Sequence, residues 1–191
     1  MAAKALLFDI DGTLWDGHPV YAQALARGSG IRAGEILLRL KQPGANVVRL
    51  TDQLGVSRSA FVRECRRNLG LLRLYPGVRR TLEKLQETEL AIVTNLPASL
   101  VTPMLDDSGL AEFFPIVECA ARKPGAAGLI RALAALQRTS TDSSYYIGDS
   151  AWDAAAARAA GIRFAWASYG YAEAVASPDV VLARFSDVLR L

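Results

Sequence analysis

The sequence predicts an α/β protein: a parallel sheet with helices on both faces, carrying a small all-helical insertion. Three observations predict it. Short apolar runs alternate with longer amphipathic ones, the pattern of strands and crossover helices in a sheet covered on both sides. Acidic or polar residues stand directly after several of those apolar runs, where open parallel sheets bind their ligands. From about Asp16 to Leu74 there is no strand signal at all, although one helix and a second strand would ordinarily follow the first strand.

The first strand is expected over Lys4 to Phe8, an unbroken apolar run after one lysine. Further strands are expected over Leu90 to Thr94, Ile116 to Cys119, Tyr145 to Ile147 and Arg163 to Ala167, with a weaker one at Val180 and Val181. Helical stretches lie near Pro76 to Glu87, Ala98 to Ser108, Pro124 to Gln137 and Ala151 to Ala160; two open close to a proline and two close at Gly109 or Gly161. The strandless segment reads as several helices broken at Gly28-Ser29-Gly30, Pro43-Gly44 and Gly55, and it is flanked by Asp16-Gly17 and Pro76-Gly77. The expected organisation is therefore a core of residues 1–15 and 75–191 with a helical insertion, 16–74, on two linkers.

Composition fits one complete core plus a sizeable insertion. The chain has 191 residues, 51% of them hydrophobic and 21% charged, which excludes disordered, collagenous and low-complexity classes. Its net charge of +3 is mild. The densest basic stretch runs from Arg58 through Arg63, Arg66, Arg67 and Arg73 to Arg79 and Arg80. Phe61, Cys65, Leu69 and Leu72 recur there at helical spacing and put most of these arginines on a solvated face, so nucleic acid is not an expected partner. Two cysteines, Cys65 and Cys119, are too few for a disulfide scaffold. Only four apolar residues separate Lys4 from Asp9, short of a signal-peptide core, and Leu90 to Leu105 falls below the roughly 18 residues of a membrane span. A reduced, cytoplasmic protein without membrane partners is expected; oligomeric state is not legible.

Four groups at strand ends could carry chemistry. Asp9-Ile10-Asp11-Gly12-Thr13 follows the first strand, and two carboxylates one residue apart repel unless a cation lies beside them or one is protonated. Gly148-Asp149-Ser150-Ala151-Trp152-Asp153 follows another strand and offers Asp149 and Asp153 at helical spacing, hard oxygen ligands of the kind Mg²⁺ prefers. Thr94 and Asn95 close a third strand with a hydroxyl and an amide suited to phosphate oxygens. Lys123 precedes Pro124 near a helix start. Each pattern alone also suits an ordinary turn, cap or surface pair; their joint occurrence at strand ends carries the inference.

With these four motifs in order, the sequence resembles the haloacid dehalogenase-like hydrolase superfamily. Tyr75-Pro76-Gly77-Val78 and Ala157-Arg158-Ala159-Ala160-Gly161 are similar to its phosphoglycolate phosphatase-like branch, in which a helical cap lies between the first and second motifs. The resemblance implies a Rossmann-like core and a Mg²⁺-dependent phosphatase for a small phosphorylated metabolite, with phosphoglycolate as one candidate. It implies Asp9 as nucleophile, Asp11 as general acid and base, Thr94, Asn95 and Lys123 as phosphate binders, and Mg²⁺ held by Asp9, the Asp11 backbone carbonyl, Asp149 and Asp153. Dehalogenase members carry no acid where Asp11 stands, so phosphate chemistry is favoured. Phosphomutases keep both acids and remain an alternative. A phosphoacceptor or regulatory domain of the receiver type is the alternative from another class, although its acids cluster early in the chain. Specificity is expected in the cap, with Arg39, Lys41 and Arg49 as candidate contacts; Trp15 is expected to pack where core meets cap, and His18 to be a linker residue.

Overall fold

The computed structural model describes residues 5–42, 44–85, 87–137, 143–172 and 174–191; Lys4, Pro43 and Gln86, each part of an expected element or break, lie outside them. In chain order the strands are β1 (Ala5–Phe8), β2 (Trp15–Asp16), β3 (Arg73–Leu74), β4 (Glu89–Val93), β5 (Ile116–Glu118), β6 (Ser144–Gly148), β7 (Arg163–Ala167) and β8 (Val180–Leu182). The helices are α1 (His18–Ser29), α2 (Ala33–Leu40), α3 (Val47–Gln53), α4 (Arg58–Arg67), α5 (Val78–Leu82), α6 (Ala98–Ser108), α7 (Ala127–Ala135) and α8 (Ala151–Ala160).

β1 has no polar side chain, and a strand of that kind is stable only when both of its faces are covered. It takes a central place in a six-stranded parallel sheet of order β5-β4-β1-β6-β7-β8. Phe8 pairs with Ile92 on one side and Ile147 on the other, so β1, β4 and β6 end at nearly the same level. Side chains alternate across the sheet with the period of two that the pleat imposes. Leu6, Phe8, Ile92 and Ile147 enter one apolar cluster. Leu7, Ala91, Val93 and Tyr146 enter another, with Leu129 and Ala132 of α7 and Ala157 of α8. Full burial of a Leu or Ile side chain contributes about 2 kcal/mol.

The insertion folds as expected into helices, α1 to α4, with α1 packed on α2 and α4. α1 ends where Gly30 adopts a left-handed φ of 76°, and Ser57 and Asn46 accept backbone N–H groups to cap α4 and α3. The segment is not free of strands, however: β2 and β3 pair antiparallel at its two ends, Trp15 with Leu74 and Asp16 with Arg73. Two-residue strands are too short to show a period of two, so the sequence pattern missed them. The ribbon ties the two linkers together at the base of the insertion. Val20, Leu25, Ile36, Phe61 and Cys65 from the insertion join the apolar cluster on the Phe8 face of the sheet.

The six expected core strands all form, and α6 and α8 match their expected ranges. Two helices are shorter than expected. α5 ends at Leu82 and tightens into a 3₁₀ turn over Glu83–Leu85. α7 starts at Ala127 rather than Pro124 because Arg122 to Gly125 closes a separate turn, Gly125 N–H donating to the Arg122 carbonyl at 3.0 Å. No helix among the described residues is long and apolar enough to cross a membrane.

Candidate active site

Chain direction along the sheet switches at β1: the chain fills β4 and β5 on one side, then returns to β6, β7 and β8 on the other. Ligand crevices in open α/β sheets form at such a point, beyond the carboxyl ends of the strands. Asp9 follows β1, Thr94 follows β4 and Asp149 follows β6, so three of the four sequence motifs converge on that edge. Asp9 N–H extends the ladder by donating to the Ile147 carbonyl at 2.8 Å.

Lys123 arrives from the loop after β5, and Asn95 holds it there. The Asn95 Oδ1 accepts Lys123 N–H at 2.7 Å while its amide nitrogen donates to the Lys123 carbonyl at 3.2 Å. The same loop carries Ala120 and Arg122 in the left-handed region, at φ 49° and 58°, a cost of order 1 kcal/mol each that these bonds help offset. The buried Lys123 ammonium lies 2.7 Å from both Asp9 Oδ1 and Asp153 Oδ1. It also donates to the Tyr146 hydroxyl at 3.0 Å, which in turn lies 3.0 Å from Asp153 Oδ1 and 2.9 Å from the Val93 carbonyl.

Asp153 is fully buried and closes a capping box at the start of α8: Ser150 N–H and Oγ donate to its Oδ2 at 3.0 and 2.5 Å. Its capping and site roles therefore coincide. Asp149 Oδ2 accepts Tyr171 N–H at 2.8 Å. Gly12 has φ 76°, and a Cβ there would fall on the Asp149 carboxylate, so both backbone conformation and close approach require glycine.

Ligand oxygens of Asp9, Asp149 and Asp153 lie within 4.8 Å of one another, and this cluster can hold a metal ion. Three carboxylates face one ammonium in a dry site. Burial pushes the Asp9 carboxyl up to about 6 despite the opposing pull of Lys123, with Asp153 adding to the rise. Burial also raises Asp149 well above the usual range, with repulsion from Asp153 and Asp9. For Lys123 burial disfavours the charged form, but Asp153 and Asp9 outweigh it and hold the ammonium protonated. The set of hard oxygens and surplus negative charge suits a small divalent cation such as Mg²⁺.

Asp11 stands apart from this cluster. Its Oδ1 accepts the Trp15 indole N–H at 3.0 Å and its Oδ2 the Tyr21 hydroxyl at 2.5 Å. Burial lifts its carboxyl to about 7, against the Tyr21 hydrogen bond. Trp15 belongs to the ribbon and Tyr21 to α1, so the ribbon and the first helix of the insertion together aim this carboxylate.

The loop after β7 closes the site from the side. Tyr169 OH donates to the Thr13 carbonyl at 2.9 Å. Tyr171 OH accepts Gly17 N–H at 2.8 Å and donates to Asp16 Oδ1 at 3.0 Å. His18 stacks on the Tyr171 ring at 3.7 Å and is buried; it opens α1 rather than lying in a linker.

Thus Asp9, Asp149, Asp153 and Lys123 come together, Thr94 and Asn95 flank them, and Asp11 faces Trp15 of β2 and Tyr21 of α1. Thr94 is buried and its hydroxyl accepts Leu96 N–H at 3.2 Å. Tyr21, Tyr146 and Tyr171 escaped sequence reasoning. For Tyr146 a signal existed: a phenol in an otherwise buried strand must find a polar partner, and Asp149 stands three residues on. Arg39, Lys41 and Arg49 are exposed, and Arg39 pairs with Glu35 at 2.7 Å. They do not line the cleft of about 830 Å³ that opens between α3, α4 and the turn after β4.

A parallel sheet with clustered acids at its switch point and a helical insertion after its first strand defines a class of α/β hydrolytic enzyme. The haloacid dehalogenase-like hydrolase family model matches residues 3–161, and the chain belongs to that family. A phosphoglycolate phosphatase from Pectobacterium atrosepticum is 34% identical over all of this chain and 92% of its own length. One from Yersinia pseudotuberculosis is 33% identical over 98% of this chain and 92% of its own length. Among solved structures, a haloacid dehalogenase-like family protein from Streptococcus pneumoniae superimposes with a TM-score of 0.79 at 22% identity, covering 98% of this chain and 97% of that one. A subfamily IA hydrolase from Geobacter sulfurreducens gives 0.75 at 23% identity, covering 99% and 96%. Both share the Rossmann-like fold. The receiver-type alternative falls with the whole-chain match.

Proposed function

We propose that the protein is a Mg²⁺-dependent phosphatase that hydrolyses a small phosphomonoester through an aspartyl-phosphate on Asp9. One observation carries this reading: Asp9 sits within a buried three-aspartate cluster at the sheet's switch point while Asp11, two residues on, lies outside that cluster with its carboxylate held by Trp15 and Tyr21. The two acids thus occupy different environments, which is how paired carboxylates come to serve different roles. The phosphoglycolate phosphatases at 34% and 33% identity support the substrate class. In this reading the core is residues 1–15 and 75–191, the cap is 16–74, and the enzyme is cytoplasmic.

Asp9, ionised beside Lys123, forms an oxygen–phosphorus bond as the ester oxygen–phosphorus bond breaks. Asp11, with a pKa near neutrality, gives its proton to the departing alkoxide. Asp11 then takes a proton from water, the water oxygen bonds to phosphorus, and Asp9 leaves as a carboxylate. Lys123, with the Thr94 hydroxyl nearby, binds the charge on the transferring oxygens, and Asn95 holds Lys123 in position. Asp9, Asp149 and Asp153, with the Asp11 carbonyl, would hold Mg²⁺, which would supply positive charge to offset the repulsion between carboxylates and phosphate.

Phosphate release from p-nitrophenyl phosphate, with Mg²⁺ and with EDTA, tests the reading. Wild type turns over only with metal, and Asp9→Asn does not turn over. Metal-independent release, or release by Asp9→Asn, would remove the nucleophile assignment.

A further inference from the structure

The cleft between the insertion and the core has its own chemistry, distinct from that of the aspartate cluster. Its insertion side presents Val48 of α3 and Phe61 of α4; its core side presents Leu96 and Pro97. Arg58, Arg63, Arg66 and Arg67 line the same space. These four guanidinium groups have two carboxylates for partners. Arg58 pairs with Asp52, while Arg63 and Arg67 share Glu64. Arg66 has no hydrogen-bond or ion-pair partner among the described residues. All four arginines are solvent-exposed, as the sequence predicts for a solvated helix face, and they also line this cleft.

The cleft adjoins the reaction centre. Asn95 is in its wall, and the same Asn95 side chain grips the backbone of Lys123, whose ammonium lies 2.7 Å from Asp9. A space of about 830 Å³ is of the size that encloses a drug-sized ligand, far more than a two-carbon acid fills. The apolar part of the wall favours a hydrocarbon body, while the unpaired, exposed Arg66 guanidinium favours an anion.

Resting on the phosphatase reading, we propose that this cleft is the leaving-group site, and that the substrate is a phosphomonoester with an extended apolar body and a second, distal anionic group bound by Arg66. Phosphoglycolate, with its carboxylate one carbon from the ester oxygen and no apolar body, is then a poor substrate.

Three alkyl esters of similar leaving-group reactivity separate the possibilities: phosphoglycolate, hexyl phosphate, and hexyl phosphate carrying a terminal carboxylate. kcat/KM is measured for each with Mg²⁺, on wild type, Arg66→Ala, Arg66→Lys and Asp9→Asn. The carboxylated hexyl ester exceeds phosphoglycolate by about tenfold or more, the scale of one charge-assisted contact. Arg66→Ala lowers the ratio of carboxylated to plain hexyl ester by about tenfold, chiefly through KM, and Arg66→Lys restores part of it. Preference for phosphoglycolate, or a ratio unmoved in Arg66→Ala, overturns the inference while Asp9-dependent release leaves the phosphatase reading standing. Absence of Asp9-dependent release from all three esters overturns both.

Discussion

His18 offers a quantitative test of how the start of α1 is packed. It is 8% exposed and stacks on Tyr171, and burial lowers its pKa from 6.5 to about 4, with nearby Lys41 adding to the drop and Asp16 opposing it. The folded protein therefore refuses a proton that the unfolded chain accepts. For a base of depressed pKa, stability is complete above about pH 7 and is lost as pH falls from 6.5 toward 4. At pH 5 the loss from this one group is about 2 kcal/mol, from the ratio of the two protonation terms. His18→Phe keeps a ring against Tyr171 but cannot titrate. Wild type and His18→Phe are unfolded in urea at pH 8 and pH 5, and the difference between their unfolding free energies is compared. Asp9, Asp11 and Asp149, whose pKa values burial raises, act oppositely, gaining stability as pH falls, and they cancel in this difference. The gap between the proteins shifts by about 2 kcal/mol in favour of the variant at pH 5, or roughly 4–8 °C in melting temperature for a chain of this size. A gap unchanged between the two pH values would refute the argument that burial holds His18 neutral.

Three further outcomes follow from the site. Gly12→Ala places a methyl on the Asp149 carboxylate at a positive φ, so turnover falls at least about tenfold and the Mg²⁺ concentration for half-activity rises; unchanged metal dependence would contradict the packing. Tyr171→Phe strands the buried Gly17 N–H and costs about 1–3 kcal/mol, read as a lower urea midpoint; a loss under about 0.3 kcal/mol would mean that water replaces the phenol. Asp11→Asn slows esters of poor leaving groups more than p-nitrophenyl phosphate, because only the former need a proton in departure; equal losses would undo the acid assignment.

Much of the fold was legible because its signals are local. Buried parallel strands read as short apolar runs, and α6 and α8 end at Gly109 and Gly161, both left-handed C-caps. The convergence of Asp9, Thr94, Lys123 and Asp149 was legible because each follows a strand, and parallel strands end on one edge. Illegible were features set by pairs distant in sequence. The β2–β3 ribbon joins Trp15 to Leu74, and the Tyr171 bridge to Gly17 spans most of the chain. The direction of Asp11 also depends on Tyr21, ten residues on in α1, whose placement is set by helix packing rather than by local sequence. Arg39, Lys41 and Arg49, the cations flanking the Pro43-Gly44 break, do not line the cleft, which lies beside α4 where it meets the core near α6.

The most direct test of the account is to stop turnover of a phosphomonoester by rapid acid quench in Mg²⁺ and map phosphoryl groups on the peptides by mass spectrometry. The account predicts one phosphoryl group on Asp9, formed and lost at rates compatible with turnover and accumulating when Asp11→Asn slows its hydrolysis. Phosphate release with no phosphoryl group on Asp9, or with it on another residue, would contradict the account.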